Sequence, residues 1–384
     1  MSDDSMLIIL SSGGTGGHVF PAQALAENLL ARGHRLALIT DRRGDSYGEA
    51  FAGIETRFIQ AAGISGRGPV AKGFALFRLA VGFFQARNLL REMKPDVVVG
   101  FGGYPTIPTM LAASRLKIKT VIHEQNAVLG RANRVLAPRA SRIATAFKTT
   151  AFLRDADLER AVWTGNPVRP EILAIRKMPF PTLGAESPIQ LLVTGGSQGA
   201  SVFSRVVPAA IASLPDALRQ RIRITQQCRK EDIESVRAAY AQTGTEAVLA
   251  PFFDDIPRRL GLAHLVICRA GASTTAELTS AGRPAILVPY PHAIDDHQTV
   301  NAARFCDSGG AWMIPDSDFT PKVLSDRLVS LFSSGSTSST LELAARCAAR
   351  AGMPEAAERL ANLVLGVVSE NGNGAHAALR EEAA

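Results

Sequence analysis

Cysteine is scarce in this 384-residue chain, and the four present, Cys228, Cys268, Cys306 and Cys347, have no C-x-x-C spacing. That excludes a disulfide framework and fits a reducing cytosol. Aromatic residues make up 6%, with no run in which they interleave with basic ones, so no nucleic-acid partner is expected. Apolar runs of membrane-spanning length are missing, which leaves only peripheral membrane association. The N-terminus carries Asp3 and Asp4 where a signal peptide is basic, and its apolar run is too short for one. His292 and His297 accompany Asp295 and Asp296, but the histidines are five apart and no second cluster completes a ligand set. No metal and no cofactor are expected.

What the chain does have is 46% apolar residues and a net charge of +7, with a pI near 9.5. The length suits two domains with sizeable cores. The basic balance calls for an anionic partner, either a membrane surface or a phosphorylated substrate.

The stretch Leu7 to His18, LIILSSGGTGGH, is a short apolar run turning through four glycines in five positions into helical periodicity from Val19. Such a strand-to-helix turn offers unpaired N–H groups and a positive dipole end, which suits an anion or a set of sugar hydroxyls. His18 adds a side chain that exchanges protons near neutral pH. The same opening recurs nearly half a chain later, where Ile189 to Thr194 leads into Gly195-Gly196-Ser197-Gln198-Gly199 and a helical run from about Ala200 to Leu214. Two equivalent openings predict two similar α/β domains, each a doubly wound Rossmann-like sheet with its glycine loop at the carboxyl edge, and a site in the cleft they face.

Strands are expected at Arg35 to Thr40, Glu55 to Gln60, Val97 to Phe101 and Thr120 to His123, then near Arg223 to Gln227, Ala247 to Ala250, Leu265 to Cys268 and Ala285 to Val288. Pro21 is expected in the first turn of the first helix. The helix from about Val70 to Met93 departs from the one-faced pattern. Val70, Phe74, Phe77, Val81 and Phe84 share one face, Leu76, Leu79, Phe83 and Leu90 the opposite one, with Lys72, Arg78, Arg87, Arg91 and Lys94 around them. Either both faces are enclosed, or the phenylalanine face meets an anionic membrane surface. Asp155-Ala-Asp157 and Asp316-Ser-Asp318 read as solvated turns, Met178 to Pro188 as an inter-domain connection, Ser333 to Ser339 as a flexible one, and 371–384 as a disordered tail.

Three functions compete at this stage. A nicotinamide dehydrogenase has Asp41 in place for a ribose, but the glycines do not follow G-x-G-x-x-G and the second loop has no role. A basic membrane-surface scaffold accounts for the phenylalanine-rich helix and leaves the polar loop residues idle. A two-domain transferase, with one substrate on each domain, uses both loops. Glu277, just inside the helix after Arg269-Ala270-Gly271, is either a helix-start acid or an acceptor for a ribose diol.

GGTGGH followed by Val19-Phe20-Pro21-Ala22, then Gly100-Phe101-Gly102-Gly103-Tyr104-Pro105, HEQN at 123–126, GNPVR at 165–169, GGSQGA at 195–200 and Cys268-Arg269-Ala270-Gly271-Ala272 to Glu277 resemble the bacterial undecaprenyldiphospho-muramoylpentapeptide β-N-acetylglucosaminyltransferase family. The resemblance runs from about residue 7 to 310. It implies a GT-B glycosyltransferase fold whose last helix returns to the N-terminal domain, and inverting transfer of GlcNAc from UDP-GlcNAc to the muramyl 4-hydroxyl of lipid I. Another GT-B nucleotide-sugar enzyme is the alternative. On this reading 1–166, joined by a helix at about 354–370, takes the acceptor and the membrane, and 167–353 binds UDP-GlcNAc. The protein would work peripherally on the cytoplasmic face of the inner membrane, with other cell-wall synthesis proteins as further partners.

Carried over by the resemblance, the donor contacts are Thr15, Gly16, Gly17, Asn126, Arg169, Ser197, Glu277 and Gln298, with backbone contacts around Phe253 and from Ala272 through Ser273 and Thr274 to Thr275. The chain departs from the pattern at Ala272-Ser273-Thr274, where relatives often have Ala-Leu-Thr, and at Phe253, where a smaller aliphatic is common. The leaving diphosphate would be neutralised by the helix starts at Ser197 and Ser273 with Arg169. Inversion needs a base on the acceptor side, for which His18 and then Glu124 are the candidates.

Overall fold

The computed structural model describes residues 5–13, 16–41, 51–62, 69–184, 186–196, 199–332 and 337–369, without side chains at 69–72 and 337–339. Thr15 and Ser197, the side chain of Lys72 and the 371–384 tail therefore lie outside the described residues. The chain divides into two compact units, Met1–Pro167 with Glu355–Ala384, and Val168–Pro354.

In the first unit, strands and helices alternate as β1 (Leu7–Ser11), α1 (Gly16–Ala31), β2 (Arg35–Thr40), β3 (Glu55–Phe58), α2 (Pro69–Met93), β4 (Val97–Gly100), α3 (Thr106–Arg115), β5 (Lys119–Glu124), α4 (Arg131–Leu136), β6 (Arg142–Thr145) and β7 (Ala161–Trp163). The seven strands form one parallel sheet in the order β3-β2-β1-β4-β5-β6-β7. The winding direction reverses between β1 and β4, where Ser11 pairs with Gly100. Buried Ile8, Leu10, Val97 and Val99 face one core, and Ile9, Val98, Ile122 and Ile143 face the other. This two-sided burial is what fills parallel strands with β-branched residues. Strands β6 and β7, of four and three residues, are too short to stand out in the sequence.

Helix α1 begins at Gly16, so Pro21 lies inside it rather than in its first turn. Proline there cannot donate to the carbonyl four residues back, that of Gly17. On α2, Ala75, Ala86 and Leu90 are buried, and Phe83 and Leu89 pack on the core. Phe74, Phe77 and Phe84 are about three-fifths exposed, at 59%, 64% and 61%. The phenylalanine face is thus open, not enclosed. Leu76, expected on the inward face, is exposed as well, because the buried stripe is narrow and made mostly of small residues. None of the described helices is long and apolar enough to cross a membrane.

The second unit contains α5 (Pro170–Ile175), β8 (Ile189–Thr194), α6 (Ser201–Ala212), α7 (Asp216–Arg219), β9 (Ile222–Gln227), α8 (Ile233–Gln242), β10 (Glu246–Ala250), α9 (Ile256–Leu262), β11 (Leu265–Cys268), α10 (Ala272–Ala281), β12 (Ala285–Leu287), α11 (His297–Asp307), β13 (Ala311–Met313), α12 (Pro321–Phe332) and α13 (Thr337–Ala351). Its parallel sheet has the order β10-β9-β8-β11-β12-β13, reversing between β8 and β11, where Thr194 pairs with Cys268. The last helix, α14 (Ala356–Ser369), belongs to the first unit, burying Leu360, Ala361, Val364 and Val367 in the core shared with α1. Arg32 Nη1 donates to Asn362 Oδ1 across that contact at 2.6 Å.

Four expectations are corrected here. Asp157 is buried and clamped by Arg154 and Arg160, which hold its carboxyl below the usual carboxylate range. Asp316 pairs with Arg269. The 178–188 stretch is not a linker, since it lies inside the second unit with Leu183 buried and Phe180 packed on the core. Within Ser333 to Ser339, helix α13 already starts at Thr337.

The second unit also buries Arg283, which is only 2% exposed. Its guanidinium donates to the carbonyls of Leu260 and Gly261 in the last turn of α9 and of Ala281 and Gly282 at the end of α10, at 2.9–3.2 Å. Burial pulls its pKa down to about 10. Its hydrogen bonds satisfy the negative ends of two helix dipoles with one cation.

Candidate active site

Where the first sheet reverses, the loops after β1 and β4 meet. Gly102 and Gly103 hold φ of +89° and +81°, a region closed to most side chains. A Cβ on Gly103 would lie 3.0 Å from the Gly13 Cα, and one on Gly102 would lie 3.2 Å from the His18 ring. The glycines are therefore the seat of the half-buried His18 imidazole as well as a turn. His18 Nδ1 is 3.1 Å from Gln125 Oε1. Gln125 Nε2 donates to the Phe101 carbonyl at 2.9 Å and lies 3.1 Å from His123 Nδ1. His123 is fully buried, its Nε2 3.0 Å from the Gly165 carbonyl. Burial, helped by the nearby His18, pushes its pKa down to about 4 against the pull of the Gly165 bond.

Glu124, the second candidate base, is buried, and both carboxylate oxygens are engaged. Oε1 accepts from the N–H and Nδ2 of Asn126, and Oε2 from the N–H of Gly130 and Nδ2 of Asn133, at 2.8–3.1 Å. These bonds fold the 126–133 segment and fix the start of α4. Its geometry is that of a strut, and both side-chain donors of this bracket, Asn126 and Asn133, are amides.

In the second unit the corresponding loops follow β8 and β11. A Cβ on Gly195 would fall 2.4 Å from the Ala200 nitrogen, so the tight return into α6 requires glycine. Gln227, at the end of β9, braces this loop: its Oε1 accepts from Thr194 Oγ1 and the Gly195 N–H, and its Nε2 donates to the carbonyls of Gly196 and Pro251. Helix α10 opens at Ala272, leaving the first-turn N–H groups of Ala272, Ser273 and Thr274 without intrahelical acceptors. Thr275 is buried and its hydroxyl bonds back to Ala272. One turn along, Glu277 accepts from Arg169 Nη2 at 3.0 Å. Burial raises the Glu277 pKa and Arg169 opposes the rise. Gln298 Oε1 bridges the N–H groups of Ala270 and Tyr290, tying the loops after β11 and β12 together. Arg269 lies between Phe203 and Tyr290, each ring centroid 5.4 Å away, and donates to Val288, Pro289 and Asp316. The Phe253 side chain is buried under Arg259, leaving its backbone on the loop.

Thus His18, Gly16 and Gly17 gather at the first reversal with Asn126 held by Glu124 nearby. Arg169, Glu277, Gln298 and the Ala272–Thr275 turn belong to the second unit. Sequence reading missed Gln125, Gln227 and Asn133 as positioning groups; the signal for the first two was an amide at or just beyond a sheet's carboxyl edge, while Asn133, inside α4, had none. His297 Nδ1 bonds the Ile294 carbonyl at 2.7 Å, a local turn contact.

Residues 8–145 match the glycosyltransferase family 28 N-terminal domain and 190–360 its C-terminal domain. Over 96% of this chain and 98% of the relative, it is 54% identical to the UDP-N-acetylglucosamine--N-acetylmuramyl-(pentapeptide) pyrophosphoryl-undecaprenol N-acetylglucosamine transferase of Paramagnetospirillum magneticum. The chain belongs to this family of N-acetylglucosamine transferases. The family's Rhodospirillum rubrum member is likewise 54% identical, over 93% of this chain and 91% of that one. Among solved structures, Acinetobacter baumannii MurG superposes with a TM-score of 0.75 at 31% identity, covering 94% of this chain and 99% of that one. The Neisseria meningitidis UDP-GlcNAc 2-epimerase, at 10% identity and a TM-score of 0.66 over 94% of this chain and 100% of that one, shares the fold alone. Membership in this transferase family sets aside the dehydrogenase and the scaffold.

Proposed function

We propose that the chain transfers GlcNAc from UDP-GlcNAc to the muramyl 4-hydroxyl of undecaprenyl-pyrophosphoryl-MurNAc-pentapeptide, with inversion, giving lipid II and UDP. The observation that carries this reading is the 54% identity, across nearly the whole chain, to transferases named for that donor and acceptor. We assign the nucleotide to the second unit and the acceptor and base to the first. Glu277 takes the ribose diol, and Arg169 with the α10 N-terminus takes the diphosphate, whose negative charge grows as the sugar leaves. His18 accepts the proton of the attacking hydroxyl; Glu124 keeps its structural bonds.

Replacing Glu277 by alanine removes a charged acceptor worth about 1.5–3 kcal/mol, so the donor KM is expected to rise roughly 10–100-fold. Steady-state titration of UDP-GlcNAc against fixed acceptor reads this directly. A KM within twofold of wild type takes Glu277 out of the nucleotide site.

The acceptor's undecaprenyl chain stays in a bilayer, so the enzyme must come to the surface. We assign docking on the cytoplasmic face to α2, where exposed Phe74, Phe77 and Phe84, flanked by half-buried Val81, suit the acyl boundary. Arg78, stacked 5.5 Å from the Phe74 ring, and Lys72 supply cations for anionic headgroups. Phe77→Ser combined with Phe84→Ser is expected to cut flotation with anionic liposomes and turnover of long-chain acceptor about tenfold or more, sparing a short-chain soluble acceptor. Undiminished liposome binding moves the docking surface elsewhere.

A further inference from the structure

We propose that Gln125 and His123 are positioning residues that hold His18 as its Nδ1–H tautomer, so that Nε2 carries the lone pair. The inference deepens the assignment of His18 as proton acceptor and rests on it for its catalytic meaning. Its physical content is independent, because every donor and acceptor role along the string is set by a neighbour.

The anchor is the Gly165 carbonyl. It can only accept, so the His123 Nε2 facing it at 3.0 Å carries the hydrogen. His123 is enclosed, 0% exposed, and the ring is neutral, which leaves Nδ1 as an acceptor. Next to it, the Gln125 amide has two orientations. With Nε2 inward, it donates to the Phe101 carbonyl at 2.9 Å and meets His123 Nδ1 at 3.1 Å and the His123 carbonyl at 3.2 Å. Turned over, its oxygen would face two carbonyls and a ring lone pair. Nε2 therefore points inward and Oε1 faces His18 Nδ1 at 3.1 Å, where only an N–H is compatible. Gly102 and Gly103 seat the same ring, so orientation and tautomer are fixed together.

A neutral histidine side chain in water prefers hydrogen on Nε2, the wrong form for a base acting through that atom. Backbone carbonyls that do not titrate, those of Gly165 and Phe101, thus set the working state of His18 through two side chains. The arrangement does, with neutral groups, the task that a carboxylate performs behind a catalytic histidine.

The test is the 15N spectrum of full-length protein labelled at histidine, with the His18 resonances identified by their loss in His18→Ala. Wild type should show protonated Nδ1 and bare Nε2 at His18. Gln125→Met should restore the Nε2–H form and lower kcat roughly 10–100-fold, with the donor KM within about threefold. His123→Phe leaves Gln125 on the Phe101 carbonyl and should cost less. Wild-type His18 protonated at Nε2 overturns the proposal without any variant, so a misfolded Gln125→Met does not leave it untested. A kcat loss in Gln125→Met with the His18 tautomer unchanged also overturns it. A switched tautomer with normal kcat instead upholds the string and removes His18 from the chemistry.

Discussion

His18→Ala is expected to lower kcat roughly 10²–10⁴-fold at saturating donor and acceptor, while the fold and donor affinity persist. The ring sits half-buried on glycine backbone with the Gln125 amide oxygen against its Nδ1, and removing a half-exposed side chain opens no large enclosed cavity. Stability should change by only about 1 kcal/mol. A muramyl hydroxyl is a weak nucleophile, and a base placed against it contributes about 3–5 kcal/mol to the transition state, which is the rate effect stated. Single-turnover kinetics with pre-bound acceptor separate chemistry from product release. A chemical step within fivefold of wild type assigns the proton to water. Glu124→Ala should behave differently, losing thermal stability first, because four donors in the 126–133 segment lose their acceptor.

Arg283→Met is expected to destabilise the second unit by at least about 3 kcal/mol. Two effects compete. Burial lowers the Arg283 pKa to about 10, a penalty of roughly 3 kcal/mol that methionine would relieve. Against it stand four bonds from a charged donor at about 1.5–3 kcal/mol each, and the carbonyls they satisfy remain buried after the substitution. The bonds win. In a unit of this size that loss lowers Tm by about 6–12 °C, measurable by calorimetry with the donor absent. Arg283→Lys should fall between, since one ammonium cannot span two helix ends. A Tm within 2 °C of wild type for Arg283→Met would show that the helix ends find other partners.

The parts of this molecule legible in the sequence are those where one residue's chemistry suffices. Buried parallel strands such as Leu265 to Cys268 declare themselves by composition, and the glycine loops by spacing. Alternation then fixes the doubly wound sheets. What stayed hidden depends on how the backbone folds around a residue rather than on the residue itself. Gln125 reads as a polar loop residue until Phe101 and Gly165 are placed around it. Asp157 reads as a solvated turn until Arg154 and Arg160 close on it. Arg283 has no local signature at all, because its ligands are the ends of helices rather than side chains. The 178–188 stretch misled through its prolines, which mark irregular backbone but not where a compact unit ends.

The return of α14 to the first unit orders events during synthesis. Its apolar face covers Leu25, Leu29 and the sheet residues beside them, yet it is made only after the whole second unit. At about 5–20 residues per second, the ribosome spends roughly 10–40 s on the intervening chain. Through that interval the nascent first unit presents an uncovered hydrophobic groove, a binding site for holdase chaperones, while the second unit already has all its own strands. The half made first is therefore the half finished last, and a stall or truncation between Pro354 and the last buried turn of α14 leaves a complete second unit attached to an aggregation-prone first one.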